Sequence, residues 1–167
     1  VGYLYLVNPQ TGALLDTIST GTSAPGMTQA SAFINDYTDG TADALYVGDL
    51  NGKVWRFDLT AASGSYPAPQ VLFDAESSDG TAQPITVAPL PEIHPTTRER
   101  MILFGTGRLL DGQDINSAQE QSFYAISDGD NLAFGNIGSS LDRSNLTQVT
   151  SLTTAVTLAP TSRGWFH

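Results

Sequence analysis

Apolar and β-branched residues come along this chain in runs of about four to eight, each stopped by a cluster of Gly, Pro, Asn or Asp, the punctuation of strands. Helical periodicity is almost missing. The opening "GYLYLVNPQTGALLDTI" predicts a strand over Tyr3–Val7, a turn over Asn8–Gly12 and a returning strand over Ala13–Ile18. "MTQASAFI" predicts another strand, and an acidic loop, "ALYVG" and "KVWRFDL" follow it. Asn51-Gly52 between these last two runs is a hairpin signal, because both positions of such a turn favour positive φ. Further strands are expected at "QVLFD", "PITVAPL", "RERMILFGT" and "QSFYAIS". From Gly107 to Glu120 at most one helical turn is expected, and beyond Asp128 the pattern gives β-prone, Thr-rich sequence without firm registers.

The runs repeat. "GYLYLVNPQTGALLDTI" and "GKVWRFDLTAASGSYPAPQVLF" share a leading Gly, an aromatic strand, a turn and an outgoing strand, and their glycines, Gly2 and Gly52, lie one unit apart. "ALYVGDLNG" and "MILFGTGRLLDG" share an apolar strand that ends in Gly. A period of about 50 residues made of four short strands is the signature of β-propeller blades. The expected fold is therefore all-β: a single domain over 1–167 holding about two to three four-stranded antiparallel blades of an open ring. Its parts are a blade remnant at 2–19, a blade at 27–74, a blade at 84–127 and an irregular tail at 128–167. A β-sandwich with coincidental repeats is the alternative. The chain starts within a predicted strand and without an initiator Met, as an excised piece of a longer protein would, so its open edges invite self-association.

Composition narrows the partners. Seven Lys and Arg against seventeen Asp and Glu give a formal charge of −10, which argues against nucleic acid and anionic membrane surfaces. Cysteine is absent, so neither disulfides nor thiolate metal sites arise. No apolar run approaches the roughly 20 residues that span a bilayer, and no membrane insertion is expected.

The acidic loop carries the strongest candidate chemistry. Numbered as a calcium loop, Asn35 stands at the first position, Tyr37 at the third, Asp39 at the fifth, Gly40 at the sixth, Thr41 at the seventh and Asp43 at the ninth. Oxygen donors at alternate positions, with a Gly at the sharp turn and a backbone carbonyl at Thr41, suit a flexible hard-cation cage. The bidentate Glu of an EF-hand is replaced by Tyr46 and the flanks are strands, and Tyr37 cannot reach in as a short carboxylate or amide would, so Asp36 or water is the substitute for the missing oxygen. The same residues also suit an Asx-rich turn without metal, and spacing alone does not separate the two. "FGTGRLLDG" lacks the third Gly and the helix of a dinucleotide fingerprint. His94 and His167 make no zinc cluster or catalytic triad, and no catalytic or organic-cofactor residues are assigned. Asp111, Asp114, Asp128 and Asp130 are expected as solvated loop charges. Tyr46, Trp55, Phe57, Phe104 and Tyr124 are expected in core and inter-blade packing.

At "DGTADALYVGDLNGKVWRFDL" the chain resembles the propeller domain of the PilY/PilC family, type IV pilus tip-associated adhesins of Gram-negative bacteria. Asp39, Gly40, Asp43, Tyr46, Gly48, Asp49, Leu50, Gly52, Trp55, Phe57, Asp58 and Leu59 carry the likeness, and "ILFGTGRLL", "QSFYAISD" and "RGWF" continue it in order. The resemblance implies a non-enzymatic propeller whose first inter-strand loop binds calcium through Asn35, Asp39, the Thr41 carbonyl and Asp43. It further implies a part in pilus extension and retraction, twitching motility and virulence, with minor pilins and host or abiotic surfaces as partners. The implied location is the pilus tip or the cell surface, outer membrane or periplasm. "GYLYLVNPQTG" also resembles a blade of quinoprotein dehydrogenases, which makes a pyrroloquinoline quinone propeller the alternative reading, with a carbohydrate-binding propeller third.

Overall fold

In the computed structural model, which describes residues 1–130, 132–135, 139–153 and 155–167, eleven strands form three sheets. Strands β1 (Tyr3–Val7) and β2 (Leu14–Ser19) make an antiparallel hairpin. Strands β3 (Ser31–Phe33), β4 (Ala44–Gly48), β5 (Lys53–Asp58) and β6 (Gln70–Asp74) make a four-stranded antiparallel meander. The third sheet holds β7 (Leu90–Ile93), β8 (Glu99–Gly105), β9 (Phe123–Asp130), β10 (Thr147–Gln148) and β11 (Gly164–Phe166), in the order β10-β11-β9-β8-β7. Only β10 runs parallel to its neighbour. Short 3₁₀ turns at Asp114–Asn116 and Arg143–Asn145 are the helical segments among the described residues. The architecture is all-β, an arc of propeller blades that does not close into a ring.

The middle sheet is buried on both faces, and its sequence shows why. A half-exposed strand alternates apolar and polar residues, whereas "ALYVG" is apolar without alternation and the four central positions of "KVWRFD" are all buried, Arg56 among them. One face, through Val47, Trp55 and Phe57, packs against Ile18 and Leu4 of the hairpin. The other face, through Ala44, Tyr46, Val54 and Leu72, packs against Ile102, Phe104, Tyr124, Ile126 and Phe166 of the third sheet. Burial of one such side chain contributes about 1.5–3 kcal/mol, so these two seams hold the arc.

Alternation also carries charge into the second seam. Arg56 follows Val54 by two positions on β5, Arg100 precedes Ile102 by two on β8, and Asp128 follows Ile126 by two on β9, so all three point inward with the core. Asp128 is fully buried, pairs with the Arg56 guanidinium and accepts a hydrogen bond of 2.7 Å from the Tyr46 hydroxyl. Arg100, also buried, donates to the Tyr46 oxygen at 3.4 Å and lies over the rings of Phe33 and Phe134, 4.1 and 4.5 Å from their centroids. Burial, then the nearby Asp128 charge, pushes the Tyr46 phenol far up, so it stays a hydrogen-bond donor. The expectation that Asp128 is a solvated loop charge is therefore wrong. β9 runs on past the apolar run to Asp130, and the strand's own period turns Asp128 into the seam.

Other boundaries differ from the sequence reading as well. The strand expected over Met27–Ile34 shrinks to Ser31–Phe33, and the one expected at "PITVAPL" falls instead at Leu90–Ile93. Gln83, Ile85 and Gly107 explain the second shift: their amides bond to the Ala75, Asp49 and Pro84 carbonyls, so this segment ties the ends of neighbouring strands together and joins no ladder. The Asn51-Gly52 turn is a hairpin turn of another type. Positive φ occurs at Gly52 (77°) and, among described non-glycine residues, only at Arg98, so Asn51 keeps ordinary backbone. Asp49 receives the Gly52 amide on its carbonyl and the Asn51 and Lys53 amides on its carboxylate, a type I turn followed by a left-handed glycine. The tail expected to be irregular supplies two strands. Gly164–Phe166 pairs antiparallel with Tyr124–Ile126, and Thr147–Gln148 adds the edge strand beyond it. Asn131, 136–138 and Thr154, parts of the weakly patterned stretches, lie outside the described residues.

Asp128→Ala leaves Arg56 buried without its carboxylate and the Tyr46 hydroxyl without its acceptor, and the expected cost is about 3–5 kcal/mol. Urea unfolding should show this as a lower midpoint, whereas an unchanged midpoint would mean that the seam does not depend on the charge.

Candidate functional site

The acidic loop joins β3 to β4 and stands out from the arc, with Asn35 to Thr41 all exposed. Its base is fixed by backbone: the Asp43 amide donates to the Phe33 carbonyl at 2.9 Å and the Leu59 amide to the Asp43 carbonyl at 2.9 Å. Its interior is closed by the carboxylates themselves. Asp43 Oδ2 accepts the Asn35 amide at 2.7 Å, drawing the two ends of the loop together. Asp36 Oδ1 accepts the Thr38 hydroxyl and amide at 2.6 and 2.8 Å, and Asp39 Oδ1 accepts the Thr41 amide and hydroxyl at 2.8 and 2.9 Å. Both are Asx turns, with Gly40 at φ 69° making the sharp bend. The Thr38 hydroxyl, then its amide, holds the Asp36 carboxyl below the usual Asp range.

Asn35, Asp39, Thr41 and Asp43 thus share one loop, and each carboxylate uses one oxygen on the loop's own donors. Among the described residues no three acidic or imidazole side chains gather into a cluster that could hold a metal ion. Asp36, the substitute ligand, is bonded to Thr38. Tyr37 at the third position is 81% exposed and brings no oxygen inward. The donors suit a hard cation in kind, oxygen from carboxylate, amide and carbonyl, yet fall short in charge.

A second loop shows what this turn does unaided. "DGTA" occurs at Asp39–Ala42 and again at Asp79–Ala82. At the second copy Asp79 Oδ1 accepts the Ser77 hydroxyl at 2.6 Å and the Thr81 amide at 3.0 Å, and Gly80 has φ 81°. The repeat is plain in the sequence, and aligning the tetrapeptide would have found it. Of the other carboxylates expected as solvated loop charges, Asp114 is instead shielded, its side chain 5% exposed, because it pairs with Arg108 and accepts the Leu110 and Asp111 amides, while Asp130 caps Leu132 and Ala133. Tyr46, Trp55, Phe57, Phe104 and Tyr124 are all buried in the two seams, as expected.

Comparison with known proteins agrees with the arc of blades. Residues 2–163 match the family model described as the PilY1 beta-propeller domain. The chain belongs to this family. It is 32% identical over 149 residues to the type IV pilus biogenesis factor PilY1 of Pseudomonas aeruginosa strain PAO1, across 75% of this chain and 13% of that protein. It is 34% identical over 125 residues to a PilY1 homolog of Xylella fastidiosa strain Temecula1, across 75% of this chain and 10% of that one. The crystal structure of the P. aeruginosa PilY1 C-terminal domain superposes with a TM-score of 0.71 at 26% identity, covering 98% of this chain and 44% of that one. The chain therefore spans about an eighth of the first relative's length and under half of the solved domain.

The hydrogen bonds to Asp36 stabilise its charged form, so their contribution is present above the unfolded-state pKa and is lost as pH falls through the lower folded-state value. In an NMR titration the Thr38 amide should shift with a midpoint below the ordinary Asp range, and a midpoint within that range would show that the turn is not formed in solution.

Proposed function

We propose that the chain is a non-enzymatic propeller module of a type IV pilus biogenesis factor, acting at the cell envelope or pilus tip in pilus extension and retraction, twitching motility and attachment. The observation that carries this reading is the family match over residues 2–163, together with an arc whose sheets superpose on a solved domain of a pilus factor. It favours the pilus reading over the quinoprotein and carbohydrate-binding alternatives. Its partners on this reading are minor pilins and the surface to which the pilus attaches. The relatives are named as biogenesis factors, which supports a scaffolding rather than a catalytic role. In a piliated Gram-negative host whose pilus factor carries this chain, deleting the segment should abolish surface pili and twitching, and normal piliation would overturn the reading.

Within that role we infer that the acidic loop takes calcium weakly. Asp39 and Asp43 would supply the charge, and Asn35 and the Thr41 carbonyl neutral oxygens. With no more than two carboxylates the expected Kd lies in the range of about 10⁻⁴–10⁻³ M. Calcium would then add order to a loop already closed by its own hydrogen bonds, which limits the size of any switch. Calorimetric titration should give saturable heat at millimolar calcium for the wild type and none for Asp43→Ala. Equal traces for the two proteins would remove calcium from this loop.

A further inference from the structure

Between the middle and third sheets, buried cations outnumber buried anions. Arg56 and Arg100 are 6% and 2% exposed, and among the described residues Asp128 is the buried carboxylate that faces them. Both of its oxygens are taken, Oδ1 by the Arg56 guanidinium and Oδ2 by the Tyr46 hydroxyl at 2.7 Å. Arg100 is left with one hydrogen bond, from Nη1 to the neutral Tyr46 oxygen, long at 3.4 Å. Its buried Nε–H has no acceptor in the protein. Such a donor has lost its hydration without replacement, and the cost is greater on a charged group than on a neutral one.

The nearby acids are engaged elsewhere. Asp130 Oδ1 accepts the Leu132 and Ala133 amides at 2.8 Å each, and Glu99 accepts the Thr97 hydroxyl at 2.8 Å and the Ser127 hydroxyl at 3.3 Å. Arg163 brings a third guanidinium to the rim of the seam, donating to the Ser127 carbonyl at 3.3 Å. Phe33 and Phe134 attract the Arg100 charge through their ring faces, 4.1 and 4.5 Å away, but offer no lone pair to Nε–H. The backbone is shaped to hold Arg100 in this place. Glu99 pairs with Asp130 and Met101 with Ser127, so Asp128 and Gly129 together oppose Arg100 in a β-bulge. Gly129 takes φ 79°, and a side chain there would meet the Ala133 carbonyl at 2.2 Å.

We propose that the Nε edge of Arg100 is a binding site for one small monovalent anion of the halide class. The charge count sets the valence: Arg56 and Arg100 against Asp128 leave an excess of one positive charge, which a single monovalent ion cancels. The surroundings set the size. An ion at Nε lies among Phe33, Phe134 and Tyr46, where a compact, weakly hydrated ion such as chloride is held and a large polyhydroxylated one has no room. Because Phe33 and Tyr46 belong to the middle sheet and Arg100 to the third, the ion joins two blades. The site is separate from the acidic loop and needs no calcium.

Urea unfolding at fixed ionic strength, with sodium chloride replacing sodium gluconate in steps, tests the site through its linkage to stability. The midpoint should rise with chloride and level off once the site is filled. Bromide should act as chloride does, and Arg100→Met should lose the saturable rise. Crystals grown in sodium bromide and measured at the bromine absorption edge should show an anomalous peak within hydrogen-bond distance of Arg100 Nε, a result that does not depend on whether the variant folds. A midpoint as high in gluconate as in chloride, or a saturable rise that persists in Arg100→Met, overturns the proposal. So does a water molecule or the Asp130 carboxylate at Nε in place of the bromine peak. A bromine peak without a saturable chloride effect means binding at crystal concentration only, and overturns it as well.

Discussion

The arc depends on one buried carboxylate. Asp128 lies between the middle and third sheets, bound to Arg56 and to the Tyr46 hydroxyl, with the Arg100 guanidinium reaching the same hydroxyl. Charge at this depth is costly, and the seam tolerates it because two aromatic rings shield what a single carboxylate cannot neutralise. Phe134 lies within 4.5 Å of both guanidiniums and Phe33 within 4.1 Å of Arg100, and each such contact is worth about 0.5–2 kcal/mol. An apolar seam could slide by a residue pair with little penalty, whereas here a slip would separate the ions. The polar cluster therefore sets how the two sheets are registered, and through β3 and β4 it also sets where the acidic loop emerges.

Much of this was legible in the sequence. The apolar runs "ALYVG" and "KVWRFD" marked two strands of the middle sheet, and the Gly2 to Gly52 repeat pointed to blades. The hairpin of Tyr3–Val7 was placed correctly because its strands are local and its turn carries Asn and Gly. Alternation places Arg56, Arg100 and Asp128 on inward faces as well. What hid the cluster was that an isolated charge near a strand end reads as solvated until its strand is known to continue, and β9 continues to Asp130.

The acidic loop shows the opposite limit. Spacing picked out residues that do share one loop, but the same spacing builds Asx turns, and the chain contains that turn twice. Carboxylates engaged by neighbouring amides and hydroxyls are already partly satisfied, so a pattern of donors in sequence overstates the charge left for a cation. The strand at "MTQASAFI" is shortened and the one at "PITVAPL" displaced for a related reason: backbone groups there bond to the ends of other strands, a choice made by tertiary packing rather than by local propensity.

The third sheet is completed by Gly164–Phe166, which lies between β10 and β9 and reaches Tyr124–Ile126 only after the long excursion that leaves β9 at Asp130. Phe166 also belongs to the core between the sheets, and its ring lies 6.0 Å from that of Tyr124. A chain made from its N-terminus would hold Tyr124 and Ile126 ready well before their last neighbour leaves the ribosome. Until then β9 presents an unpaired edge, and the closure that covers it is a slow, long-range step. Folding of this arc is thus ordered in time as well as in space, with its final strand acting as the clasp.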